Sequence, residues 1–162
     1  MNRIFKQRIF ETVIKCLEEY SCTGDDFVFD EQDFGDEKNI NVCVNGDELG
    51  YIILIPHRNI ESLYSEIAET DSYEMAEDVI SKLNRNKQII EIADVDVNKK
   101  YRNRGVSKML IEYTLEKYKE YQFYLRVCPT DGVDEETFAK TFKRYGFIEI
   151  DRSENGTFMV KK

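Results

Sequence analysis

The sequence predicts an α/β (α+β) fold: a mixed, mainly antiparallel sheet with helices on both faces and a helical insert before the central strand. Three observations carry the prediction. Two Asn-Gly pairs, Asn45-Gly46 and Asn155-Gly156, each lie between apolar residues that alternate with other types, the signature of a β-hairpin. Between them a strand pattern, Gln88 to Val97, runs into a basic, glycine-containing loop and then a helical pattern. Helical spacing of apolar residues also marks residues 3–20 and much of 58–87. In chain order the elements are helix, hairpin, helical insert, strand, helix, strand, helix and hairpin. With 162 residues the chain is expected to be one domain, 1–162, long enough to bury roughly 70% of the surface its unfolded form exposes.

Each element has a local cause. In residues 3–20, Phe5, Ile9, Val13, Cys16, Leu17 and Tyr20 recur every three or four positions, which predicts an amphipathic helix lying on the sheet. The segment Gly24 to Glu37 carries seven acidic residues and no basic one. It reads as a solvated loop with a short edge strand, or as an acidic lip that attracts a cationic substrate. From Asn39 the period becomes two, and the second hairpin arm, Leu49 to Ile55, is apolar on both faces, as an interior strand requires. His57, just past Pro56, reads as an ordinary strand-end residue with nothing nearby to orient it. In 58–87, Ile60, Leu63, Tyr64 and Ile67, then Tyr73, Ala76, Val79, Ile80 and Leu83, keep helical spacing, with Asp71 and Ser72 as N-cap candidates between the two runs. These helices either pack on the flank of the domain or form a lid over a groove. A strand from Gln122 to Cys128, a short helix from Asp134 to Tyr145 and a hairpin from Phe147 to Lys161 complete the chain.

Charge and composition exclude several classes. The net charge is −9, from 32 acidic and 23 basic residues, which argues against a nucleic-acid or anionic-membrane partner. The four cysteines, Cys16, Cys22, Cys43 and Cys128, have no CxxC spacing and read as reduced thiols in a cytoplasmic protein. With a single histidine, no metal is expected. The first residues contain Lys6, Gln7, Arg8 and Glu11, so they have no apolar run of signal-peptide or membrane-spanning length.

Against that acidic background, residues 99–108 hold five basic side chains, Lys99, Lys100, Arg102, Arg104 and Lys108, and no acidic one. A strand that feeds such a turn at a helix N-terminus is suited to phosphate, because the first helical amides lack acceptors and the helix dipole adds positive charge there. The segment YRNRGVSKML, following DVDV, resembles the acyl-CoA-binding motif of the GNAT superfamily of N-acetyltransferases, Arg or Gln, two residues, Gly, one residue, then Gly or Ala. It reads here Arg102, Asn103, Arg104, Gly105, Val106 and Ser107, with Ser107 departing from the final small residue. The later segment EETFAKTFKRYGF resembles the second motif of that family, with Ala139 and Gly146-Phe147 in matching places. The resemblance covers residues 39–161, the N-terminal helix loosely and the insert not at all.

The resemblance implies that amides from Arg102 to Ser107 hold the pyrophosphate of acetyl-CoA, with basic side chains meeting the remaining phosphate. It implies that the strand Ile89 to Val97 diverges from Phe123 to Cys128, that the amide of Val95 polarises the thioester carbonyl, and that Val97 contacts the pantetheine arm. Glu91 matches the general base of the histone-type branch, though it can equally be read as a strand glutamate paired with a lysine. Asp94 and Asp96, on the opposite strand face, are reserve candidates. Where the family often has a proton-donating tyrosine this chain has Phe142, and where it has an asparagine this chain has Glu136. Cys128 reads as a buried strand-end thiol, or as an acyl acceptor.

Two functions are therefore expected. One is acetyl-CoA-dependent N-acetylation, by direct attack in a ternary complex, of a primary amine on a cationic substrate: a protein lysine or N-terminus, a polyamine or a small amine. The other is a catalytically silent GNAT-fold module that binds acyl-CoA or a protein. Oligomeric state is left open, a homodimer being one option.

Overall fold

The computed structural model describes residues 27–128 and 134–162. The helix expected over 3–20 therefore lies outside the described residues, as do Cys16, Cys22, Pro129 and Gly132. Seven strands, β1 (Phe27–Asp33), β2 (Lys38–Val44), β3 (Asp47–His57), β4 (Ile89–Val97), β5 (Gln122–Val127), β6 (Ile148–Ser153) and β7 (Gly156–Lys161), form a mostly antiparallel sheet. Their order is β1-β2-β3-β4-β5-β7-β6. Four helices are described: α1 (Ile60–Thr70), α2 (Tyr73–Ser81), α3 (Val106–Lys117) and α4 (Glu135–Arg144). The chain divides into two compact units, Met1–Leu54 with Asp94–Lys119, and Ile55–Ala93 with Glu120–Lys162.

In the first unit the predicted Asn-Gly hairpin joins β2 to β3. Asn45 and Gly46 have φ of 51° and 81°, the two left-handed residues that a type I′ turn requires. A register shift between Val42 and Cys43 marks an irregularity in the β2–β3 ladder. α3 buries Val106, Met109, Leu110, Ile111 and Thr114. The acidic segment supplies the edge strand β1, and it is fastened to α3. The Phe29 ring stacks on Tyr113 at 3.9 Å between centroids, and Glu31 accepts hydrogen bonds from the Tyr113 hydroxyl and from Lys117 Nζ. Asp33 is likewise paired with Lys38. Glu31 and Asp33 therefore already hold cations of their own chain, which leaves less of this segment to act as an acidic lip.

The second unit contains the insert. Asn59 caps α1 by accepting from Ser62 N at 2.8 Å, and Ser72 caps α2 by accepting from Met75 N at 3.1 Å. Of the two N-cap candidates Ser72 is the cap, while Asp71 closes α1. Ile60, Leu63 and Ile67 of α1 and Met75, Ala76, Val79 and Ile80 of α2 share one buried cluster with Leu83, Ile89, Tyr124, Phe158 and Val160. The insert is thus part of the core. β5 pairs in parallel with β4 and antiparallel with β7, and β6 closes the edge against β7. α4 is capped by Asp134 and turns Ala139 and Phe142 inward.

One buried polar side chain ties the end of the insert to the sheet. Gln122 is 0% exposed; it accepts from Asn84 N at 2.8 Å and donates to Asn84 O at 2.7 Å and Lys87 O at 3.2 Å. Replacing it by an apolar residue of similar size strands one amide and two carbonyls. Gln122→Leu is expected to lower stability by about 2–4 kcal/mol, read from the urea midpoint at unchanged slope.

Candidate active site

β4 ends at Val97, and the chain passes through a short tight-helical turn, Lys99–Tyr101, into α3. Asn98 N donates to Leu49 O at 2.9 Å, which ties the turn to β3. Asn103 has φ 63°, and Gly105, the residue preceding α3, has φ 82°, a conformation that favours glycine. Having no side chain, Gly105 leaves α3 without a side-chain cap, whereas Asn59, Ser72 and Asp134 cap the other described helices. The first bond closing α3 is Met109 N to Gly105 O at 3.0 Å. The amides of Val106, Ser107 and Lys108 precede it and have no intrahelical acceptor. They lie at the positive end of the helix dipole, which makes this turn a place for an anion built from backbone.

The basic side chains around it are less free than their count suggests. Arg102 donates from Nε to Val97 O at 2.9 Å and pairs with Asp96 at 3.2 Å, so it braces the turn from behind. Lys100 and the Tyr101 hydroxyl both reach Asp47 at 3.0 Å, and Lys108 lies 3.9 Å from Glu112. The reserve acids are engaged too. Asp96 holds Arg102, and Asp94 accepts from the Tyr51 hydroxyl at 3.0 Å, a bond that, with burial, pushes the Tyr51 pKa up to about 12. Gly50 explains how β4 fits: a Cβ there would meet Asp96 O at 2.5 Å and Val97 Cα at 3.1 Å.

Glu91 lies in the other unit, at the last β4 position paired with β5. The pairs are Ile89 with Gln122, Ile90 with Phe123 and Glu91 with Tyr124. Among the described residues the β4–β5 ladder stops there, although β4 continues to Val97 and β5 to Val127. Glu91 has a side chain 12% exposed, and its partner is not a lysine. His57 Nε2 lies 2.9 Å from Glu91 Oε2, and His57 Nδ1 lies 4.0 Å from Glu66 Oε2. His57 is buried, so the sequence expectation that nothing orients it is corrected: β3 carries it inward and Glu91 holds the ring. Burial raises the Glu66 pKa, and the negative charge of Glu91 raises it further, against smaller opposing effects of His57 and Arg126. Burial also drives the Tyr124 hydroxyl far above its ordinary range. His57 and Glu66 are the residues that sequence reasoning missed. No spacing links position 57 to 91, and Glu66 sits in the insert, where the resemblance is silent.

In the second motif, Phe142 is fully buried and makes edge-to-face contacts at 5.3 Å with both Phe138 and Phe147. Glu136 is paired along the helix surface with Lys140 at 2.9 Å. Cys128 is exposed, against the expectation of a buried thiol, because the strand has ended one residue before it.

Comparison with known proteins decides the family. The sequence profile described as acetyltransferase (GNAT) family matches residues 7–147. The chain belongs to the GNAT acetyltransferase family. The GNAT match includes the insert and stops before the tail hairpin. No curated protein matches the chain in sequence. Among solved structures it is similar to an acetyltransferase from Thermus thermophilus, at 10% identity and a TM-score of 0.52 over 79% of this chain and 65% of that one. It is similar to the Bacillus subtilis N-acetyltransferase YlbP, solved with coenzyme A, at 11% identity and a TM-score of 0.50 over 75% and 65%. The PaiA N-acetyltransferase of Thermoplasma acidophilum, also with coenzyme A, aligns at 12% identity and a TM-score of 0.48 over 97% and 70%. The chain thus spans just under two thirds of the length of the first two. The likeness establishes a GNAT fold. No described helix is long and apolar enough to cross a membrane.

The approach at Gly50 is open to test. In Gly50→Ala the added methyl meets backbone, which cannot swing aside as a side chain would. The variant is expected to lose about 1–3 kcal/mol of stability, read from thermal melting.

Proposed function

We propose that this chain is a single GNAT-type domain that moves an acetyl group from acetyl-CoA to a primary amine of a cationic substrate. The observation that carries the reading is the uncapped N-terminus of α3 behind the turn from Arg102 to Gly105, in a chain of the GNAT family. The amides of Asn103, Arg104, Gly105, Val106 and Ser107 would hold the pyrophosphate, with Arg102 keeping the turn in shape from its bonds to Val97 and Asp96. Further along β4, the Val95 amide would donate to the thioester carbonyl and Val97 would meet the pantetheine arm.

In the reaction the amine nitrogen attacks the carbonyl carbon, the C–N bond forms, and the C–S bond breaks with the electron pair leaving on the coenzyme A thiolate. The ammonium must lose a proton before attack, and Glu91 is the acceptor, directly or through water. His57 fixes the carboxylate by its hydrogen bond. The negative charge of Glu91 and Glu66 favours a cationic substrate: a protein lysine or N-terminus, a polyamine or a small amine. No donor stands ready for the thiolate at position 142, and coenzyme A leaves as the thiolate near neutral pH.

A second reading is favoured by one observation. Phe142 is committed to an aromatic cluster and Glu136 to Lys140, so both positions of the second motif serve packing or surface charge. On that reading the domain binds acyl-CoA and does no chemistry.

Calorimetric titration with acetyl-CoA tests the cofactor site. Micromolar binding is expected, and Arg104→Glu with Lys108→Glu is expected to weaken it in a variant that melting curves show to be folded. A folded protein that binds no acetyl-CoA would remove both readings. For catalysis, an amine screen with thiol release as readout is expected to find turnover. Glu91→Gln is expected to lower kcat about 10²–10⁴-fold with acetyl-CoA affinity retained. Binding without turnover on any amine favours the silent module.

A further inference from the structure

His57, Glu66 and Glu91 come from three elements of one compact unit: the end of β3, the middle of α1 and the first half of β4. Each offers one ligand atom, and the three atoms lie within 4.8 Å of one another, the one such gathering of His, Cys, Asp and Glu among the described residues. A zinc ion bound tetrahedrally, with bonds of about 2.0–2.1 Å to nitrogen and oxygen, sets its donors roughly 3.3 Å apart. One ion takes one imidazole nitrogen, so the 2.9 Å from His57 Nε2 to Glu91 and the 4.0 Å from His57 Nδ1 to Glu66 are contacts on two edges of the ring. The half-exposed Glu66 is the side chain that shifts to complete a shell around a single nitrogen.

The burial pattern suits a cation that enters from water. The imidazole is 4% exposed and cannot reorient freely, Glu91 is 12% exposed, and Glu66, at 45%, opens the group to solvent. One nitrogen and two carboxylate oxygens leave a fourth position for water, the ligand count of an open zinc centre. Magnesium and calcium prefer larger shells of oxygen alone, whereas a mixed nitrogen and oxygen set favours the later first-row divalent ions. Arg126 is the opposing charge: it acts on Glu66 from β5, with its guanidinium also over the Phe158 ring at 5.9 Å. Against it stand two carboxylates that repel each other, and a divalent ion relieves that repulsion.

We propose that His57, Glu66 and Glu91 form a binding site for a zinc-type divalent cation, and that the bound ion inhibits acetyl transfer by occupying Glu91. The inhibitory half rests on Glu91 being the proton acceptor; the binding half does not.

The test uses the full chain stripped with a chelator. Zn²⁺ is titrated by calorimetry, and Co²⁺ by the visible absorption that reports low-symmetry coordination. The expected result is one ion per chain, bound at least tenfold more weakly by Glu66→Gln and by Glu91→Gln. Cys128→Ser, which removes the one exposed thiol among the described residues, is expected to leave it unchanged. Glu66 is half-exposed on a helix surface, so its variant folds, and melting curves verify that. No saturable binding by the wild-type chain, or undiminished affinity in both carboxamide variants, overturns the site. Inhibition of acetyl transfer is expected with a midpoint equal to the Zn²⁺ Kd. Full turnover with zinc bound overturns the blocking and the base role of Glu91 together, while the metal site stands on its binding data.

Discussion

The structure depends on where β4 stops pairing. Its ladder with β5 pairs three residues, Ile89 with Gln122 to Glu91 with Tyr124, and among the described residues it ends there. Three of the described helices spend a side chain on their first amides, and α3 has glycine at that position. At that helix start the first amides have no side-chain acceptor from the cap residue, and a ligand is an ordinary reason for a fold to leave them so.

What the sequence made readable was local. The Asn45-Gly46 turn is specified by two left-handed residues, and no distant contact is needed to predict it. The insert helices follow from spacing, and the same residues that give the spacing, Ile60, Leu63, Ile67 and Val79, are the ones that bury. The turn that opens α3 was readable because glycine and basic residues sit at fixed offsets. Long-range chemistry was not. His57 and Glu91 are 34 residues apart, and only the path of β3 beside β4 makes them neighbours. Charge counting does not reveal the partners of Arg102 and Glu31, since a side chain's charge says nothing about the carbonyl, carboxylate or ammonium it will meet in the fold.

The insert illustrates how packing and chemistry share one element. α1 turns a single apolar stripe, Ile60, Leu63 and Ile67, into the core. That stripe fixes the rotation of the helix about its axis, and the rotation sets where Glu66, one residue before Ile67, stands relative to His57. The insert is held further by Gln122, whose bonds to Asn84 and Lys87 anchor its far end. An element that lies outside the family's motifs thus supplies a carboxylate to the neighbourhood of Glu91.

Two carboxylates beside a buried imidazole, with Arg126 as the opposing charge on Glu66, gather negative charge at one place. Three kinds of cation can relieve it. A proton does so on Glu66, whose affinity for it is raised by burial and by Glu91. A substrate ammonium would do so while it also delivers the proton that must be removed. A divalent ion does so most strongly at short range, because its doubled charge interacts with both carboxylates at once. On the proposed readings the three would compete for one site, and whichever is bound would exclude the others. An amine acetyltransferase arranged in this way would respond to pH, substrate and metal through a single cluster, without any change of fold.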